Sequence, residues 1–132
     1  MPPEKPSEFE MQVLATLWKH GPLTAREVLS RLPDGKKRAY TSVLSVMQVM
    51  EKKELLGRAR EGLTDRWHPT VEEAQILGPF MKNLVSRIFG GSARNALQCL
   101  FKEGEVDADE INEIRKLLDT YQKRQSDKRQ NS

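Results

Sequence analysis

The chain has 132 residues, and 22 Lys and Arg against 19 Asp and Glu give a formal charge of +3. That length holds one compact domain, or a small domain plus an appendage, and no stretch approaches the ~18 consecutive apolar residues of a membrane span. One cysteine, Cys99, and two histidines, His20 and His68, exclude an intrachain disulfide and a Cys- or His-rich metal site. No Gly-rich phosphate loop and no Gly-x-Ser-x-Gly elbow is present, which argues against a hydrolase. Met1 is followed by Pro2, Pro3, Glu4, Lys5 and Pro6 rather than an apolar run, so no signal peptide is expected and the reading is cytoplasmic. No cofactor is implied.

The charge is unevenly placed. Residues 1–69 carry 12 basic and 9 acidic side chains, a net +3, whereas residues 70–132 carry 10 of each. The excess lies in the first half, densest at Lys36-Lys37-Arg38 and continued by Arg58, Arg60 and Arg66.

In chain order, Ser7 and Glu10 have capping-box spacing, and Phe9, Val13, Leu14, Leu17 and Trp18 follow at helical intervals until Gly21-Pro22. Thr24 and Glu27 repeat the box, with Leu23 and Val28 spaced as a hydrophobic staple, and Pro33-Asp34-Gly35 reads as a turn. A third helix is expected from Ala39 to Lys53. Tyr40, Val43, Leu44, Met47 and Met50 share its inner face, while Thr41, Ser42, Ser45, Gln48, Val49 and Lys52 lie opposite. Two extended segments, 56–60 and 65–69, read as a hairpin. Three helices followed by a hairpin is the order of a winged helix-turn-helix.

The second half is helical throughout. Thr70 and Glu73 have capping-box spacing, Pro79 predicts a kink or restart, Ser92 caps a short helix, and Asp107 opens the last one. The expected organisation is a flexible N-terminus over 1–6, a winged domain over 7–70, a helical dimerisation region over 71–121 and a disordered tail over 122–132. Short amphipathic helices of this size cannot bury their own apolar stripes; they either fold back onto the first domain or pair with a second copy, and the expectation is a homodimer with its interface on Phe80, Leu84, Val85, Ile88, Phe89, Leu97, Leu100, Phe101, Ile111, Ile114, Leu117, Leu118 and Tyr121. Cys99 reads as a small buried hydrophobe, and Trp18, Trp67 and Tyr40 as core rather than base-stacking residues.

The segments Leu14 to Val28 (LATLWKHGPLTAREV), Ala39 to Ser45 (AYTSVLS) and Ile88 to Ser92 (IFGGS), in this order, resemble the penicillinase-repressor family of BlaI-, MecI- and CopY-type regulators. The resemblance implies a dimeric winged-helix repressor on a palindromic operator, possessing no catalytic activity, in the setting of β-lactam-response genes. It also implies release through cleavage by a membrane sensor protease. The corresponding bond is Cys99-Leu100, which lacks the Asn-Phe pair of the best-known members. Cys99 alone cannot supply the Cys-x-Cys motifs of the copper-responsive branch. Glu54 stands where the family usually has Gly, Leu63 where a basic wing residue is common, and Val49 where Arg is common.

The expected roles follow from double-stranded DNA as partner. Thr41, Ser42, Ser45 and Gln48 are candidates for reading base edges, because hydroxyls pair with several bases and Gln can pair with adenine at two points. Thr24, Arg26, Lys36, Lys37, Arg38, Arg58, Arg60 and Arg66 are candidates for the sugar-phosphate backbone. The alternative is a winged-helix module whose third helix binds a protein instead of DNA.

Overall fold

In a computed structural model, which describes residues 5–130, the elements run α1 (Glu8–His20), α2 (Ala25–Ser30), α3 (Tyr40–Lys52), β1 (Leu56–Glu61), β2 (Thr64–Pro69), α4 (Glu73–Ile88), α5 (Ala93–Lys102) and α6 (Ala108–Gln130). The expectation for residues 1–4 lies outside the described residues. At 5–6, Pro6 is buried and the Lys5 ammonium sits 5.4 Å from the centre of the Phe80 ring.

Two of the three predicted capping boxes form. Ser7 Oγ accepts from Glu10 N–H while Glu10 Oε1 accepts from Ser7 N–H, and Thr24 and Glu27 make the same exchange. These short helices are held mainly by packing. Val13, Leu14 and Leu17 of α1, Val28 of α2, Val43, Met47 and Met50 of α3, Leu55 of the turn that follows, and Leu56 and Trp67 of the hairpin form one buried cluster.

β1 and β2 pair antiparallel, with Arg60 opposite Asp65 and Glu61 opposite Thr64. The two-residue tip is Gly62-Leu63, and Gly62 takes φ +63° at its first position, as such a turn demands. Leu23 adds a bridge on the other edge of β2, exchanging backbone hydrogen bonds with Trp67 at 3.1 and 2.7 Å. The wing is thus tied by its backbone to the residue preceding the α2 cap.

Several expectations need correction. Thr70 does not cap α4, because its hydroxyl donates instead to the Glu54 carbonyl at 2.6 Å. Of the kink or restart expected at Pro79, the restart does not occur, since α4 is continuous from Glu73 to Ile88. A proline lacks one N–H donor, and a helix supported by tertiary packing tolerates that loss. The chain divides into two compact units after Asn83. Trp18 Nε1 donates to Val71 O at 3.0 Å and Ile76 is buried in the core, which joins the start of α4 to the first unit. Residues 122–130, expected to be disordered, continue α6 as an exposed helix. Gln, Lys and Arg are good helix formers, so a solvated extension of an existing helix needs no new nucleus.

Glu54 adopts the left-handed conformation with φ +64°, so the turn after α3 keeps the shape that a glycine would favour. Leu55 N–H closes it on Met50 O at 2.9 Å. A side chain in this region costs about 1–2 kcal/mol, partly offset by the greater unfolded-state freedom of glycine. Glu54→Gly is therefore expected to stabilise the fold by about 0.5–1 kcal/mol, read as a higher urea midpoint with unchanged slope.

In the second unit, Ser92 Oγ caps α5 through Asn95 N–H and Asp107 Oδ1 caps α6 through Glu110 N–H. No described residue beyond Ile76 is buried. Ile88, Leu100, Phe101, Ile111, Leu117, Leu118 and Tyr121 are all exposed. Cys99 is exposed as well, contrary to expectation, since α5 has no buried residues.

Candidate nucleic-acid interface

The two faces of α3 are sharply different. Val43, Met47 and Met50 are completely buried in the core cluster, whereas Thr41, Ser42, Ser45 and Gln48 are all exposed. Helical periodicity dictates this separation, because the four polar residues recur at three- and four-residue steps. The base-reading candidates are therefore presented together along one outward strip. The α3 N-terminus has no side-chain cap, so its first N–H groups add positive potential beside Lys36 and Lys37. Both lysines are exposed and make no ion pair among the described residues.

Between α3, the start of α2 and the wing lies a cleft of about 340 Å³, lined by Thr24, Arg26, Tyr40, Gln48, Arg58, Arg60, Leu63 and Asp65 among others. Four of the backbone candidates, Thr24, Arg26, Arg58 and Arg60, thus share one wall system with the Gln48 amide. The wing arginines are held by neighbouring carboxylates. Arg58 pairs with Glu51 at 3.1 Å and Asp65 at 3.4 Å, and its guanidinium lies 5.0 Å from the centre of the Trp67 ring. Arg60 reaches Asp65 at 3.5 Å and the Gly62 carbonyl at 3.2 Å. Arg66 binds Pro22 O, Glu27 and Glu61. Such exposed pairs are weak and exchangeable, and they preorganise the guanidinium groups without neutralising them permanently. Arg26 lies 4.3 Å from the centre of the Tyr40 ring, a stacked placement at the mouth of the same cleft.

Arg38 is the exception among the backbone candidates. It makes a two-point pair with Asp34 at 2.9 and 2.8 Å and stacks 4.4 Å from the Phe9 ring centre. The Arg38 hydrogen bonds, followed by the Lys36 N–H, hold the Asp34 carboxyl well below the usual carboxylate range, and Asp34 in turn raises Arg38. Arg38 braces the turn against α1, a structural role beside the one expected of it among the phosphate contacts.

Three features were missed in the sequence. Glu10 is buried and pairs with Lys53 at 3.1 Å, tying the cap of α1 to the end of α3. Burial pushes its carboxyl up, but the Ser7 N–H and then Lys53 prevail and hold it below its ordinary value. No local pattern announces a contact across 43 residues. The Asp34–Arg38 brace was legible as an acid and a base four residues apart. The Leu23–Trp67 bridge was not, because Leu23 is isolated between Pro22 and a helix cap.

Residues 6–120 match the family model described as penicillinase repressor. The chain belongs to the penicillinase repressor family. The family's members are transcriptional repressors, not enzymes, and this repressor's matched span includes every helix of the winged unit, the wing and most of the helices beyond. It is 20% identical over 121 residues to the penicillinase repressor of Bacillus licheniformis, covering 92% of this chain and 94% of that one. It is 29% identical over 112 residues to the transcriptional regulator BlaI of Mycobacterium tuberculosis, covering 84% and 80%. Among solved structures, the PcaV transcriptional regulator of Streptomyces coelicolor has a similar fold, with a TM-score of 0.51 at 20% identity over 88% of this chain and 77% of that one. The repressor has no helix, among its described residues, long and apolar enough to cross a membrane.

Proposed function

We propose that this chain represses transcription in the cytoplasm as a homodimer bound to a two-fold operator. In each half-site α3 enters the major groove, with Thr41, Ser42, Ser45 and Gln48 on base edges. Thr24, Arg26, Lys36, Lys37, Arg58, Arg60 and Arg66 hold the flanking phosphates. The observation that carries this reading is the two-sidedness of α3, with a completely buried apolar face and an opposite strip of hydroxyls and an amide flanked by free cations. Two such helices lie about 34–36 Å apart on an operator whose half-sites are one helical turn apart. Occupying the promoter excludes polymerase.

The second unit supports the dimer. A helical region with no buried residue and many exposed leucine, isoleucine and aromatic side chains exceeds what a monomer normally leaves to solvent. Release by a membrane sensor protease at Cys99-Leu100 rests on the family resemblance. That bond lies inside α5, so cutting it requires α5 to unwind locally into an extended strand.

The reading is tested by fluorescence anisotropy on the chain's own promoter duplex and a scrambled duplex across a salt series. Gln48→Ala is expected to weaken the operator about 5- to 100-fold, the value of one good base contact, and to relax preference at a single base pair. Arg60→Ala is expected to weaken both duplexes by a similar factor and to lower the salt slope by about one per protomer. Identical behaviour of the two variants would remove the division between reading and anchoring residues. Absence of any duplex binding at low salt would leave the protein-binding module in its place.

A further inference from the structure

Among the described residues before Leu84, three large apolar side chains are exposed, namely Val49, Leu63 and Met81. Val49 lies on the outward strip of α3. On the helical wheel it falls between Ser42 and Ser45, one turn beyond Ser45 and next to Gln48, and it is 47% exposed. It is absent from the core cluster and from the partly buried side chains packed against it, whereas Val46, three residues earlier, is among the latter. No part of the described chain uses it.

Its local cost points the same way. A β-branched residue on an exposed helical position is a poorer helix former than Ala, Arg or Lys, and it adds nothing to solubility. A surface that covers it would supply a compensating benefit. Its neighbours on the strip are hydroxyls, an amide and the Lys52 ammonium, a set suited to a hydrogen-bonding groove rather than to an apolar protein face. In the floor of the DNA major groove, the apolar group available to such a side chain is the 5-methyl of thymine.

We propose that Val49 is a specificity-determining residue that selects thymine by packing on its 5-methyl group, at a base pair adjoining the one met by Gln48. The inference rests on the operator reading above and deepens it by naming the chemistry at one position. Val49 takes no phosphate and forms no hydrogen bond there. Its discrimination is the burial of one methyl group, worth about three- to five-fold in affinity per half-site.

The experiment uses the full chain and an operator duplex selected by it from random sequence. Each thymine of a half-site is replaced singly by deoxyuridine, which removes the methyl and leaves the base pair's hydrogen bonding intact. One replacement is expected to weaken wild-type binding three- to five-fold, and Val49→Ala is expected to bind that dT and dU duplex equally. Thr41→Ser, which removes the other methyl of the strip, is expected to keep the difference. Val49→Ala is expected to melt no lower than wild type, so that a lost preference is not a folding defect. The proposal is overturned if every dU effect survives in Val49→Ala, if the effect disappears in Thr41→Ser instead, or if tight selective binding is insensitive to every replacement. Failure of selection to enrich any sequence would overturn the operator reading together with it, and is distinct from those three results.

Discussion

Trp67→Ala is expected to destabilise the winged unit by about 3–5 kcal/mol, the usual cost of emptying a large buried aromatic site. Trp67 is 1% exposed and is the largest side chain of the buried cluster. Its backbone also joins β2 to Leu23, and its ring faces the Arg58 guanidinium. Small domains have only about 5–15 kcal/mol of total stability, so the loss takes a large share. Urea unfolding should show a much lower midpoint. Operator affinity measured in the remaining folded range should fall too, because the wing and the α2 cap lose their common anchor. A variant that unfolds within about 1 kcal/mol of wild type would show that the hairpin docks without this ring.

The paired substitution Leu117→Asp and Leu118→Asp is expected to give monomers and to reduce operator affinity at least 100-fold. Leu117 and Leu118 are among the exposed leucines of α6, where Tyr121 is exposed as well. A charge on such a surface is readily solvated in a monomer and costly in an apolar contact between copies. Since neither residue packs on the buried cluster, the winged unit should keep its unfolding midpoint. The loss arises from linkage. Two half-site contacts on one dimer gain about 10²–10⁴ over one, through effective concentration alone. Sedimentation measures the oligomer and anisotropy the affinity. Dimers that survive the substitution with operator binding intact would place the interface elsewhere on the helices.

Much of the winged unit was legible in the residue order because its signals are local. Capping boxes at Ser7 and Thr24, the three- and four-residue recurrence of Val43, Met47 and Met50, and the Gly62 turn all act within a few residues. The same periodicity placed Thr41, Ser42, Ser45 and Gln48 on one strip, since a helix that buries one face must present the other. Expectations failed where a residue has more than one partner to choose from. Thr70 had the spacing of a cap and spends its hydroxyl on Glu54, a partner sixteen residues away. Cys99 lies between leucines, yet it is exposed on a helix with no buried residue.

The sequence by itself determined the helices of the first unit, the hairpin, the outward strip of α3 and the family to which the chain belongs. The helices, the hairpin and the strip follow from backbone hydrogen bonding and apolar periodicity, whose range is one or two turns, whereas the family follows from the order of three matching segments. Only the tertiary structure decided which cations are free, that Lys53 answers a buried Glu10, that Leu23 pairs with Trp67, and that the first unit extends to Asn83. Those outcomes depend on which groups arrive together from distant parts of the chain. The desolvation and pairing energies that settle them have no signature at any single position.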